Sequence, residues 1–324
     1  MGGTDPMSHK HDSWGWMLAV DFFFAGMGGA MLVIAGIADL FLGTGMTSVL
    51  GNLLGALCIG LGACLLVLEL GRPFQSWRVF MNPKAILTIG AWSMVLAMGA
   101  GIIFASFGIG SLPWSDAILA RKVFAVVSVI FGLIVATYPG ILLARHKSRP
   151  FWTGAGIMSL FVISSLVTGA AAHIVSQFVF DALASIVTSW QIVDASSSVV
   201  LDGLPYLTVA LLVLQFILWI GYIWIKKTGT TEREANAADR WISGNYAMHF
   251  KGGFLFIGTL LPIVLILVPI NLIQVFGTLL VLVGGVVMRL LVVYSGQDRT
   301  WLPGEQKYRS RLPIGDEAFL KAWK

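Results

Sequence analysis

The sequence predicts an all-α integral membrane protein: a bundle of eight transmembrane helices with both termini on the same side. Three observations predict it. Of 324 residues, 57% are hydrophobic and 11% charged, where a soluble domain carries about a quarter charged; mean hydropathy is +0.86. The apolar residues gather into eight runs of ~20 residues or more, the length that a ~30 Å hydrocarbon layer requires. If those runs cross alternately, nearly all lysines and arginines fall on one side, as a membrane orientation signal should.

The predicted spans are 15–42, 48–70, 85–108, 119–143, 153–175, 199–226, 252–270 and 272–294. Residues 1–14 form a polar N-terminal segment, and residues 15–294 the transmembrane domain. The run after Trp14 is too long for a signal-peptide core and has no small-residue cleavage pattern behind it. Residues 176–198 have the spacing of an amphipathic surface helix, because Asp181 and Asp194 make a ninth crossing costly. The junction "VPINLIQ" (268–274) predicts a very tight turn between the last two spans. The loop 227–251, "KTGTTEREANAADRWISGNYAMHFK", mixes charge signs and predicts a short solvated helix acting as a connector. The tail 295–324 carries prolines, both charge signs and an aromatic every few residues, Trp301 and Trp323 among them. It reads as an extended segment pinned to a partner subunit.

Eight crossings put the N-terminus, the tail and the loops 71–84, 144–152 and 227–251 on one side. That side holds eighteen of the twenty-one lysines and arginines; Arg121 and Lys122 lie opposite, and Arg289 falls inside the last span. The bias predicts cytoplasmic termini in a bacterial or archaeal inner membrane.

Electron-carrying groups are constrained by the ligands at hand. The two cysteines, Cys58 and Cys64, lie in one apolar span, whereas an iron–sulfur cluster needs about four thiolates; both read as packing residues. Of the five histidines, His9, His11, His146, His173 and His249, only His173 falls within a span. Two facing axial histidines cannot be supplied at membrane depth, so the expectation is neither haem nor a cluster of its own.

Ionisable side chains inside a bilayer cost several kcal/mol unless paired or hydrated, so each is a candidate. Asp21, Glu69 and Arg289 lie toward the basic side. They form either an ion pair locking helices together or a polar pocket exchanging protons with a ligand. Asp39, His173 and Asp202 lie toward the opposite side, as interfacial residues or as the far half of a proton path in a proton-translocating module. Gln215 would be the main polar side chain at mid-depth. Tyr138 precedes Pro139 and Gly140 late in the fourth span. It is either an interface-belt aromatic or a hydrogen-bond donor to a carbonyl ligand, with Gly140 admitting the ligand to the backbone. The small-residue runs "GMGGA" (26–30) and "GNLLGALCIGLGA" (51–63) predict close helix approach. A transporter would show an internal repeat between its halves, and none is visible.

The most informative stretch is "LELGRPFQSWRVFMNPKAILTIGAW", residues 68–92. An acidic residue, Leu-Gly-Arg-Pro, an aromatic-Arg pair, Asn-Pro and Gly-Ala-Trp follow one another between two apolar spans. This pattern resembles that of the NrfD/PsrC family, the quinone-interacting membrane subunits of polysulfide-reductase-type complexes. Two other stretches are similar to the same family: "VDFFFAGMGGAM" (20–31) and "ATYPGILLARHKSRPFW" (136–152).

The resemblance implies a haem-free subunit of an oxidoreductase complex that is not catalytically complete alone. It would exchange electrons between a membrane quinone (menaquinone or ubiquinone) and a ferredoxin-like partner with several [4Fe-4S] clusters. That partner would itself bind a catalytic subunit of molybdopterin type. Carried onto this sequence, the quinone-binding positions are Asp21, Gly71, Arg72 and Tyr138. The first-span position is a histidine in one well-known member, and Asp21 stands there instead. A carboxylate can take a quinol proton, but it cannot donate to a quinone oxygen as an imidazole N–H does. The basic loops imply docking of the iron–sulfur partner through Trp77, Arg78, Lys84, Arg145, Arg149 and Trp301. Apart from the resemblance, the ionisable residues Glu69, Asp39, His173, Asp202 and Arg289 are the candidates for proton transfer.

Overall fold

The computed structural model of the protein describes residues 15–42, 49–69, 73–82, 85–146, 149–154, 156–183, 198–229 and 231–297. The N-terminal segment and the tail beyond 297 lie outside them. Among the described residues, eight helices are long and apolar enough to cross a membrane. They are α1 (Trp16–Leu42), α2 (Val49–Glu69), α3 (Ile86–Ser106), α4 (Ile118–Ala144), α5 (Gly156–Ala182), α6 (Ser198–Thr228), a seventh crossing in two parts, and α9 (Asn271–Gln297). A 3-10 helix, Pro73–Met81, fills the loop between α2 and α3, and a short helix, α7 (Glu232–Ile242), follows α6.

Helix α1 is the axis of the bundle and packs on α2, α4, α5 and α9. Its glycines explain how. A Cβ on Gly29 would stand 2.6 Å from the carbonyl oxygen of Gly132 in α4, and one on Gly169 of α5 would stand 2.7 Å from the Cβ of Ala30. Backbones this close exclude any side chain, which is how small residues drive packing where lipid offers no hydrophobic gradient. The outward faces carry large apolar residues instead, such as Ile89, Trp92, Val95 and Leu96 of α3.

Three elements differ from expectation. Helix α5 runs to Ala182, so residues 176–182 continue the fifth crossing and do not begin a surface helix. No proline or glycine stops it there, and side chains of the segment bond along the helix. Ser176 Oγ donates to the His173 carbonyl (2.8 Å) and Gln177 donates to Asp181 (2.8 Å). Residues 184–197 lie outside the described residues.

The seventh crossing begins at His249 as a wide-turned π-helix, His249–Leu260, and tightens into α8 (Leu261–Ile266). The Thr259 hydroxyl donates to the Phe254 carbonyl five residues back at 3.1 Å. Hydrophobic periodicity over one span does not distinguish such turns from ordinary ones.

Helix α7 is where expected but is no solvated connector. Trp241 is buried and stacks on Phe151 (4.4 Å between centroids) and Trp219 (5.3 Å). Lys226, at the end of α6, donates to the carbonyls of Pro150 (2.9 Å) and Thr153 (2.7 Å) and pairs with Glu234 at 2.7 Å. Three segments of the protein meet on one ammonium. The loop after α4 is tied to α9 as well: Trp152 Nε1 donates to the Val292 carbonyl (2.8 Å), and Arg149 donates to that of Gly296 (2.7 Å).

Candidate quinone site at the α1–α2–α4 seam

Asp21 projects from α1 toward α2. Its carboxylate is wholly buried and touches Gly62, where a Cβ would stand 2.9 Å from Oδ1. Neither oxygen has a hydrogen-bond partner among the described residues. Tyr138 reaches the same core from α4, with Leu18, Ala19, Phe22, Leu66 and Met94 as fellow members. Its ring lies flush on α3: a Cβ on Gly90 would stand 2.6 Å from Cε2. Tyr138 is 3% exposed, and its hydroxyl too has no partner among the described residues. Asp21 is close enough to Tyr138 and to Glu69 for their charges to interact.

Leaving a buried hydroxyl unsatisfied costs about 1–3 kcal/mol, and a carboxyl more. Buried polar atoms in folded proteins are nearly always bonded. Three orphaned oxygens from two helices at one place are therefore a cost that internal packing does not offset. Together they offer one hydroxyl donor and one group able to accept or release a proton, the pair of functions a quinone/quinol head requires.

Between α2 and α3 an apolar cleft of about 80 Å³ opens, lined among others by Ile59, Leu66, Val79, Phe80 and Met94. Leu66 and Met94, which line it, belong to the same buried core as Tyr138. The 3-10 helix caps the cleft. With three residues per turn, Ser76 and Val79 align toward it, while Phe74 and Trp77 align outward and are 95% and 58% exposed. Thr88 Oγ1 donates to the Val79 carbonyl (2.6 Å) and Phe80 packs edge-on to Trp92, fixing the cap to the start of α3.

Glu69, the last residue of α2, accepts the Gly15 N–H at 2.8 Å. It thereby caps the N-terminus of α1, where the helix dipole favours an anion. Arg289 is elsewhere. It is fully buried on the other side of α1, where it donates to the carbonyls of Phe22 and Gly285 and the hydroxyls of Ser164 and Ser165, each at 3.1 Å. Phe23 and Phe161 flank its guanidinium at 5.5 and 5.9 Å. Among the described residues it makes no ion pair, so an Asp21–Glu69–Arg289 lock is not formed.

On the opposite side the three candidates are not joined. Asp39 pairs with Arg121 at 2.7 Å, tying the end of α1 to the start of α4. His173 is buried with Nε2 2.9 Å from the Met31 carbonyl, and Asp202 is exposed. Among the described residues no hydrogen bond links them. At mid-depth, Gln215 reaches only Thr259, at 3.5 Å.

Of the expected docking residues, Trp77, Arg78 and Arg145 are exposed. Arg149 is engaged within the fold, bound to Gly296 and lying 5.1 Å over the Trp152 ring. Gly71, Arg72, Lys84 and Trp301 lie outside the described residues. Gly140, expected to admit a ligand, admits α5 instead: a Cβ there would stand 2.6 Å from the Met158 Cα. Sequence reasoning gives Gly62 only a part in close helix approach, within its small-residue run, and Gly90 only a place in the Gly-Ala-Trp motif.

The family model described as "Polysulphide reductase, NrfD" matches residues 5–300 of the protein. A polysulfide reductase subunit of Wolinella succinogenes is 25% identical over 311 residues, covering 88% of the present sequence and 94% of that subunit. An eight-span bundle whose family match runs from near its first residue to the end of its last helix leaves one conclusion: the protein belongs to the polysulphide reductase NrfD family.

Proposed function

We propose that this protein is the membrane anchor and quinone-reactive subunit of a multi-subunit oxidoreductase. It exchanges electrons between the quinone pool and an iron–sulfur partner, which in turn serves a molybdopterin-type catalytic subunit. The observation that carries the proposal is that three buried oxygens of Asp21 and Tyr138 have no hydrogen-bond partner among the described residues, next to an apolar cleft whose Leu66 and Met94 share a buried core with Tyr138. The relative from Wolinella succinogenes, named as one component of a polysulfide reductase, supports a place in a multi-subunit redox complex.

In this reading Tyr138 donates its hydroxyl hydrogen to one quinone oxygen, and Asp21 accepts or returns a proton at the head. The head approaches Tyr138 and Asp21 from the α2–α3 cleft, where the first units of an isoprenoid tail lie. The cleft is lined by apolar side chains, so each hydrogen bond to the head acts in a low dielectric. Exposed Trp77, Arg78 and Arg145 form part of the docking face for the iron–sulfur partner, on the basic, cytoplasmic side of the inner membrane.

The test is Tyr138→Phe and Asp21→Asn in the purified complex. Both variants assemble, and both lose quinone-linked turnover by about 10²-fold or more, the scale of a lost acid–base group. Wild-type turnover in both would end the assignment.

A further inference from the structure

We propose that Ser76 binds the second oxygen of the quinone head, the one beside the isoprenoid tail, and so selects for heads that carry an oxygen there; this rests on the quinone reading above. A para-quinone has its two oxygens on opposite edges of the ring. In prenylated quinones the tail is attached to the carbon next to one of them. Tyr138 and Asp21 are near enough for their charges to interact, so together they serve one edge of the head. With the tail in the α2–α3 cleft, the oxygen beside it stays on the cleft side. An oxygen taken out of water and left without a partner there loses affinity.

The cleft offers one partner. Of the eleven residues that line it, ten have apolar side chains and the other is Ser76. Leu66 and Met94, two of the ten, belong to the buried core that holds Tyr138, so the same cleft touches the cap and the core around Tyr138.

Ser76 lies in the 3-10 helix Pro73–Met81, one three-residue turn before Val79 and on the same row. The Val79 carbonyl accepts from Thr88 Oγ1 at 2.6 Å, and Phe80 packs edge-on against Trp92. The backbone that presents Ser76 is therefore held against α3, which also supplies Ala91, Met94, Val95 and Met98 to the cleft wall.

The hydroxyl is also uncommitted. A helical serine or threonine often donates to a carbonyl three or four residues back, and Ser106, Thr137, Thr168, Ser176 and Thr208 all do so. Among the described residues Ser76 makes no such bond, and it is half-buried between exposed Gln75 and Trp77. A hydroxyl both donates and accepts. It donates to the carbonyl of a quinone and, rotated, accepts from the O–H of a quinol, so it holds both redox forms alike. Binding of that kind lowers KM and leaves kcat as it was.

The test is Ser76→Ala and Ser76→Thr in the purified complex, with two probes that carry the same short prenyl chain. One is a quinone of the ring class that the complex turns over; the other is the corresponding phenol without the oxygen beside the chain, used as an inhibitor. Ser76→Ala is expected to raise the KM for the quinone about tenfold, the scale of one lost hydrogen bond, with kcat within about twofold of wild type and inhibition by the phenol unchanged. Ser76→Thr, which keeps the hydroxyl, recovers most of the wild-type KM. A wild-type KM in Ser76→Ala overturns the assignment. So does an equal loss of affinity for the phenol, which would mark a shift of the cap, or no recovery in Ser76→Thr. Loss of turnover in Tyr138→Phe beside a wild-type KM in Ser76→Ala removes Ser76 alone, whereas wild-type turnover in both Tyr138→Phe and Asp21→Asn ends the site reading itself.

Discussion

Substituting Gly90 by alanine tests the placement of Tyr138 without touching its chemistry. The added Cβ would stand 2.6 Å from Cε2, 2.7 Å from Cδ2 and 3.0 Å from Cζ of the Tyr138 ring. Carbon atoms rest about 3.5–4.0 Å apart, so the ring or α3 must retreat by about 1 Å. Tyr138 is held from behind by a packed core, and its hydroxyl moves with the ring. A misplacement of that size costs about 10²-fold in rate, and overpacking costs about 1–3 kcal/mol of stability, too little to prevent assembly.

The assay compares quinone-linked turnover of the purified complex with dye-linked turnover of its catalytic subunit, which bypasses the membrane. Gly90→Ala is expected to lower the first about 100-fold and leave the second unchanged. Gly99→Ala is the control on the same helix, since a Cβ there meets nothing within 4 Å. Quinone-linked turnover within about twofold of wild type in Gly90→Ala, or an equal loss in Gly99→Ala, would refute the reasoning.

Lys226→Met removes the cation shared by Glu234 and the Pro150 and Thr153 carbonyls. Breaking such a largely buried pair should cost about 3 kcal/mol, seen as a lower thermal midpoint in detergent; an unchanged midpoint would disprove the role of this node. His146, just beyond the end of α4, is held below its ordinary pKa of 6.5 by partial burial and by the Arg149 guanidinium. The folded state therefore prefers the neutral ring, and stability is lost as pH falls below about 6.5, where the unfolded state takes up the proton first. His146→Gln should flatten that acid-side loss; parallel pH–stability curves for the two proteins would contradict it.

What sequence alone determined is what composition and spacing encode. Eight apolar runs, each long enough to satisfy its own backbone across a bilayer, fix eight crossings. The single-sided lysines and arginines fix a common side for the termini. The quoted motifs fix the family and single out Asp21 and Tyr138 as candidates.

The structure decided everything that depends on which helix faces which. Asp21 and Arg289 both read as intramembrane charges of one pocket, yet they lie on different faces of α1: the Arg289 guanidinium lies against Gly26, five residues and about 140° around the helix from Asp21. Arg149 reads as a surface cation, but the loop after α4 folds back onto α9 and consumes it. Trp241 sits in a polar stretch whose charge pattern predicts solvent, while the aromatic stack that buries it comes from three other segments. Gly62 and Gly90 become site residues only because Asp21 and Tyr138, from other helices, happen to lie on them. Periodicity along a sequence records which residues share a face; only the packed bundle records what that face meets.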